Sequence, residues 1–131
     1  MADTGDALLA TDFFDAMHAA HALRTRLAEF FTRYDMILTP TAAALPWLAE
    51  TTHPETIAGI PVGPRGSAIF TGFVNAAGCP AISIPCTPSG RGLPIGFQLI
   101  ARWGWDEDLC GLGAQYEAAF PWPALWDRSS S

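Results

Sequence analysis

The chain has 131 residues, half of them apolar and 15% charged, which suits one folded unit and excludes a disordered tail. Thirteen acidic against seven basic residues give a formal charge of -6, so a basic groove for nucleic acid is not expected. No apolar stretch approaches the ~20 residues of a membrane helix, and no basic-then-apolar segment opens the chain, so neither a membrane span nor a secretory leader is expected. The three cysteines, Cys79, Cys86 and Cys110, lack metal-ligand spacing and read as reduced, mostly buried thiols of a cytoplasmic protein.

Thr11 or Asp12 can cap a first helix over roughly 12–33. Phe13, Met17, Ala20, Leu23, Leu27, Phe30 and Phe31 recur at spacings of three and four, the stripe of an amphipathic helix. Arg24, Arg26 and Arg33 fall in its later turns, where cations suit the helix dipole. Met36-Ile37-Leu38 reads as a short buried strand, ended by Thr39-Pro40-Thr41 because proline cannot continue a central ladder. Residues 42–66 form a long Pro-rich loop within one folded unit, and such loops are often functional.

Ser67 can cap a second helix over 67–77, with Gly78 as its terminator. Ala81–Ile84 reads as a strand. After the turn signal Thr87–Gly92, Pro94–Ala101 alternates with period two, which makes these two strands antiparallel neighbours. Asp106 can cap a last helix over 106–119, with Leu109, Leu112, Tyr116 and Ala119 as its buried stripe. Gly111 and Gly113 each cost about 1 kcal/mol in a helix interior, and they point either to close approach by a neighbouring backbone or to a weakness that is simply tolerated.

Few residues suggest chemistry. His18 and His21 lie three apart on the first helix without a third ligand, and His53 stands alone in the long loop. As a base His53 needs a nucleophile and an orienting group. Cys110, in the first turns of the last helix, has the best electrostatic setting of the three thiols, yet structural burial is the simpler reading. Gly90-Arg91-Gly92 precedes a strand, whereas a phosphate cradle opens a helix. Asp106, Glu107 and Asp108 are explained by helix capping. No metal or cofactor is expected.

Four blocks, taken in order, carry a resemblance. Tyr34-Asp35-Met36-Ile37-Leu38-Thr39-Pro40-Thr41 resembles the strand and turn of the amidase-signature family. Phe70 to Cys86, reading FTGFVNAAGCPAISIPC, is similar to its helix-turn-strand block. Gly92 to Ile100, reading GLPIGFQLI, is similar to its GLP-x-G-x-QL block, and Asp106-Glu107-Asp108-Leu109 resembles the opening of its last helix. The resemblance implies an α/β fold: the C-terminal part of the amidase-signature mixed sheet, with helices packed on a short set of strands.

It also implies an enzyme that hydrolyses non-peptide carboxamide C–N bonds with a Ser-cisSer-Lys triad, a case of activated nucleophile plus oxyanion donors. This sequence has no lysine and no Gly-Gly-Ser-Ser-Gly-like stretch, so no catalytic residue is assigned. By resemblance, Thr39, Pro40 and Thr41 fall at the edge of a substrate cleft, and Phe70, Thr71 and Asn75 fall on a helix lining or supporting it. Glutamine-using amidotransferase members carry an aspartate two residues before the Phe-Thr pair, where this chain has Ala68. Trp103-Gly104-Trp105 replaces a shorter proline-containing turn.

The expected function is therefore a fragment or subunit of an amidase, inactive alone. Its partner would be the missing catalytic half, or a second copy through an apolar face to which Phe70, Phe73, Trp103 and Trp105 contribute. A small-molecule amide is the substrate of the complete enzyme. The alternatives are a non-catalytic interaction module, a fragment like the A subunit of an amidotransferase, and unrelated chemistry at His53 or a cysteine.

Overall fold

The computed structural model describes residue 5 and residues 8–90 and 92–121. Helix α1 (Ala10–Phe30) leads to strand β1 (Met36–Pro40); a small hairpin follows, β2 (Thr56–Ile57) and β3 (Ile60–Pro61). A 3-10 turn (Gly66–Ala68) runs into helix α2 (Ile69–Ala77), then strands β4 (Ala81–Cys86) and β5 (Ile95–Ala101), and helix α3 (Asp106–Ala119). The main sheet has the order β1-β5-β4, with both pairings antiparallel, so the expected pairing of the last two strands is found.

The caps differ from expectation. Leu9 stands at the N-cap of α1, and Asp12 acts from the third helical position, accepting the Leu9 N–H at 2.8 Å. Ser67 caps nothing, because the 3-10 turn already carries the chain into α2. Trp105 holds the N-cap of α3, and Asp106, Glu107 and Asp108 occupy its first turn, where the positive end of the helix dipole favours acids. The arginines of α1 do not sit in its last turn. Arg24 instead donates from Nε to the Ala77 carbonyl at 3.1 Å, and Trp103 donates from Nε1 to the Gly78 carbonyl. Both satisfy carbonyls that the end of α2 leaves without partners. Gly78 takes a left-handed conformation (φ 71°) and closes α2, as its position predicts.

Strand β1 also runs further than expected, through Thr39 and Pro40. The Thr41 N–H donates to the Gly96 carbonyl at 3.2 Å. In an antiparallel ladder alternate residues bond the partner, so Thr39 and Ile37 face β5, and Pro40 points its backbone out of the sheet. A proline at an outward edge position removes no ladder bond. Within residues 42–66, Ala58 and Gly59 both have positive φ (51° and 78°), turning the chain between β2 and β3.

Register assigns the two faces of the sheet. Ile84, Leu99 and Ala101 form the core under Leu109 of α3, with Met36, Ile82, Phe97, Leu112 and Tyr116 packed around them. Ala119, expected in the buried stripe, is exposed. Gly113 is buried because α3 presses onto β4 there: a Cβ would lie 2.8 Å from Ile82 Cδ1, whereas around Gly111 nothing lies within 4 Å. The close approach at Gly113 is thus by a side chain and not by the expected backbone, and Gly111 has neither.

Candidate functional site

The opposite face carries a polar row. Thr39 pairs with Gln98, and Gln98 with Ser83, so one row of side chains crosses all three strands. Gln98 is only 5% exposed. Its Nε2 donates to Thr39 Oγ1 at 3.1 Å and to the Phe70 carbonyl at 2.9 Å, joining β1, β5 and the first turn of α2. Thr39 Oγ1 in turn donates to the Pro40 carbonyl at 3.0 Å. A buried amide with both donors engaged fixes its neighbours, since leaving them unpaired is costly.

Beside this node, Thr41 and Ser83 share a hydroxyl–hydroxyl hydrogen bond of 2.7 Å. They meet over Gly96, where a Cβ would stand 3.1 Å from Ser83 Oγ and 3.2 Å from Thr41 Oγ1. A Cβ there would be tight, and the two hydroxyls would have to give by a few tenths of an ångström to admit it. Thr41, Ser83 and Gly96 are the floor of an open cleft of about 250 Å³, walled by Ala42, Ala44, Pro46, Trp47, Pro94 and Ile95. The Trp47 Nε1–H donates to the Thr51 carbonyl at 3.1 Å, and the Ala43 N–H donates to the Ser67 carbonyl at 3.0 Å, so two bonds hold this part of the loop.

Of the six expected pocket residues, the fold gathers Thr39, Thr41 and the Phe70 backbone around Gln98 and Ser83. Pro40 is exposed at the strand end. The Thr71 hydroxyl donates to the Ala68 carbonyl at 3.1 Å, turned back on its own helix. Asn75 is exposed more than a turn further along α2. Gln98, Ser83 and Gly96 were not among the expected residues; the signal that points to them is their placement on the non-core parity of two paired strands.

The other candidate groups remain scattered. His18 and His21 are exposed on α1, and His53 Nδ1 hydrogen-bonds the adjacent Thr52 hydroxyl at 2.8 Å. Among the described residues no three His, Cys, Asp or Glu side chains converge as metal ligands. The cysteines depart from expectation, since Cys110 is exposed and Cys79 and Cys86 are half-buried. Burial pushes the Cys79 thiol above its ordinary range, and the nearby Arg24 guanidinium opposes that shift. Cys79 lies with Arg24, Leu27, Phe31, Arg102 and Trp103 around a second, mainly apolar groove of about 470 Å³.

Helices packed on a short antiparallel sheet, with a hydroxyl-lined cleft on the polar face, make an α/β fold. The Amidase family profile matches residues 3–110, and the chain belongs to that family, the amidase-signature enzymes. "Putative amidase AmiC" of Mycobacterium leprae is 36% identical over 107 residues, covering 79% of this chain and 22% of that one. The A subunit of glutamyl-tRNA(Gln) amidotransferase from Ruminiclostridium cellulolyticum is 34% identical over 123 residues, covering 86% of this chain and 23% of that one.

Among solved structures, a bacterial aryl acylamidase of the amidase-signature family superposes with a TM-score of 0.82 at 26% identity, covering 92% of this chain and 25% of that one. The A subunit of the glutamyl-tRNA(Gln) amidotransferase from Thermotoga maritima superposes with a TM-score of 0.68 at 33% identity, covering 83% and 23%. The chain thus spans 22% to 26% of the length of the proteins it matches, and its fold is that part of the amidase-signature fold. Among the described residues no helix is long and apolar enough to cross a membrane.

Proposed function

We propose that this chain supplies one wall of the substrate cleft of a cytoplasmic amidase that hydrolyses non-peptide carboxamide bonds, and that it is inactive alone. The observation that carries the reading is the Thr41–Ser83 hydroxyl pair over Gly96, held beside the Gln98 node, within a family match covering 22% of a relative's length. A hydroxyl pair on a close-packed glycine can orient a neutral polar group, and the walls from Ala42 to Trp47 suit an apolar acyl or amine substituent. In this reading Thr39 and Phe70 position the wall, Thr41 touches substrate, and Pro40, Thr71 and Asn75 lie at its margin. The domain is a partial one, residues 1–131, completed by the catalytic part of an amidase.

Catalysis needs more than a wall. The activated serine and lysine of the family have no counterpart in a sequence without lysine, and a single oxyanion donor is already worth ~3 kcal/mol of barrier. Ala68, at the position where amidotransferase members carry aspartate, favours a general amide hydrolase over an amidotransferase component. Purified chain assayed against aliphatic and aryl amides is expected to give no turnover above buffer. Turnover that survives repurification and disappears on replacing His53 or a cysteine would overturn the proposal.

A further inference from the structure

Two of the chain's seven basic residues meet at the apolar groove beside the end of α2. Arg24 reaches it from α1 and Arg102 from the turn after β5, while Leu27 and Phe31 supply apolar wall and Cys79 lies at its side. Among the described residues that line it there is no Asp or Glu. Uncharged groups hold both guanidiniums instead. Arg24 Nε donates to the Ala77 carbonyl at 3.1 Å, and the Arg102 guanidinium lies 3.8 Å from the centre of the Trp105 ring. A main-chain carbonyl and an aromatic face fix an arginine without cancelling its charge. The charge of Arg24 is felt within the groove: burial raises the pKa of the Cys79 thiol, and the guanidinium pulls against that rise.

Trp103 completes the arrangement. Its side chain is 81% exposed, yet its indole N–H donates to the Gly78 carbonyl, which fixes the ring at the rim of the groove. A lone exposed apolar side chain is ordinary. One pinned by its polar end, beside two cations and over an apolar wall, is a preorganised surface that loses little freedom when a ligand binds. The groove's volume, about 470 Å³, falls within the ~300–1,000 Å³ of small-molecule sites. Arginine carries five N–H donors, so Arg24 keeps its terminal ones after bonding Ala77, and one carboxylate can accept from two guanidiniums.

We propose that this groove binds an aryl carboxylate: the carboxylate accepts hydrogen bonds from Arg24 and Arg102, and the aromatic body lies on Leu27 and Phe31 against the Trp103 ring. The groove shares no lining residue with the Thr41–Ser83 cleft, and the inference does not rest on the hydrolase reading.

The test uses the chain and 4-phenylbutyrate as probe. Titration calorimetry should give a Kd on the order of 1 mM or tighter. With the probe at about ten times its Kd, iodoacetamide labelling of Cys79 should slow at least about fivefold, while exposed Cys110 labels as before. Arg102→Gln should raise the Kd at least about tenfold, and Arg33→Gln, outside the groove, should leave it within about twofold. Arg24→Gln also strips a donor from the end of α2, so the neutral analogue 4-phenyl-1-butanol serves as the second measurement. It should bind at least about tenfold more weakly than the acid, and acetate, a head without a body, should leave Cys79 labelling unchanged. Absence of binding, equal affinity for acid and alcohol, an unchanged Kd in Arg102→Gln, or equal protection by acetate would overturn the proposal. So would Cys79 labelling that slows with chain concentration in the absence of probe, because a second copy would then cover the groove.

Discussion

Gln98→Leu removes the two donors of the node while keeping a side chain of similar volume. The Phe70 carbonyl loses its side-chain donor in a part-buried setting, and Thr39 Oγ1 loses its link to β5. An unpaired buried acceptor costs about 1–3 kcal/mol and a lost ordinary hydrogen bond about 1 kcal/mol, so a net destabilisation of roughly 2–3 kcal/mol is expected. For a chain of this size that corresponds to a fall in Tm of about 10 °C. Thr39→Val, which leaves the Phe70 bond intact, should cost only about 1 kcal/mol. The double mutant should be less than additive by about 1 kcal/mol, because Gln98 and Thr39 share one bond. Thermal melts followed by circular dichroism measure all three. If Gln98→Leu melts within about 2 °C of the parent, or the two effects simply add, Gln98 does not tie the wall together.

Gly111→Ala should raise stability by about 1 kcal/mol, since its Cβ enters open space. Gly113→Val should lower it by about 1–3 kcal/mol through overpacking against Ile82, and equal melts for the two variants would refute the packing of α3 on β4. Cys79 should react with iodoacetamide more slowly than exposed Cys110, as followed by peptide mass spectrometry, because burial disfavours its thiolate. Its raised pKa also sets a sign: the contribution to stability is full below the unfolded thiol pKa and is lost as pH rises through the folded one. Cys79→Ala should therefore flatten the alkaline decline in Tm, and an unchanged decline would contradict the assignment.

Much of the fold is legible because period and turn signals are local. Ile95, Phe97 and Leu99 mark the core face of β5, and Gly78 marks the end of α2. What local reading misses depends on neighbours. Gln98 looks like the solvent-facing half of an alternating strand, yet it is buried because α2 covers that side and offers a carbonyl. Pro40 looks like a strand stop, yet β1 is an edge and its outward backbone position needs no N–H. Phe70, Phe73 and Trp105 look like free apolar surface but are half-buried, while Trp103 stays 81% exposed with its indole N–H on Gly78. The candidate site shows the same division. The Thr39–Thr41 turn carries a recognisable string, whereas Ser83 and Gly96 gain meaning only from register.

The central claim, that this chain is an incomplete wall of an amidase cleft, is tested most directly by complementation. The chain is assayed for amide hydrolysis alone and then with the part of the Mycobacterium leprae relative that it lacks, using parent chain and Gly96→Val. No turnover is expected from either piece alone, turnover from the parent mixture, and its loss with Gly96→Val, whose side chain would split the Thr41–Ser83 pair. Hydrolysis by the isolated chain, or complemented activity indifferent to Gly96→Val, would contradict it.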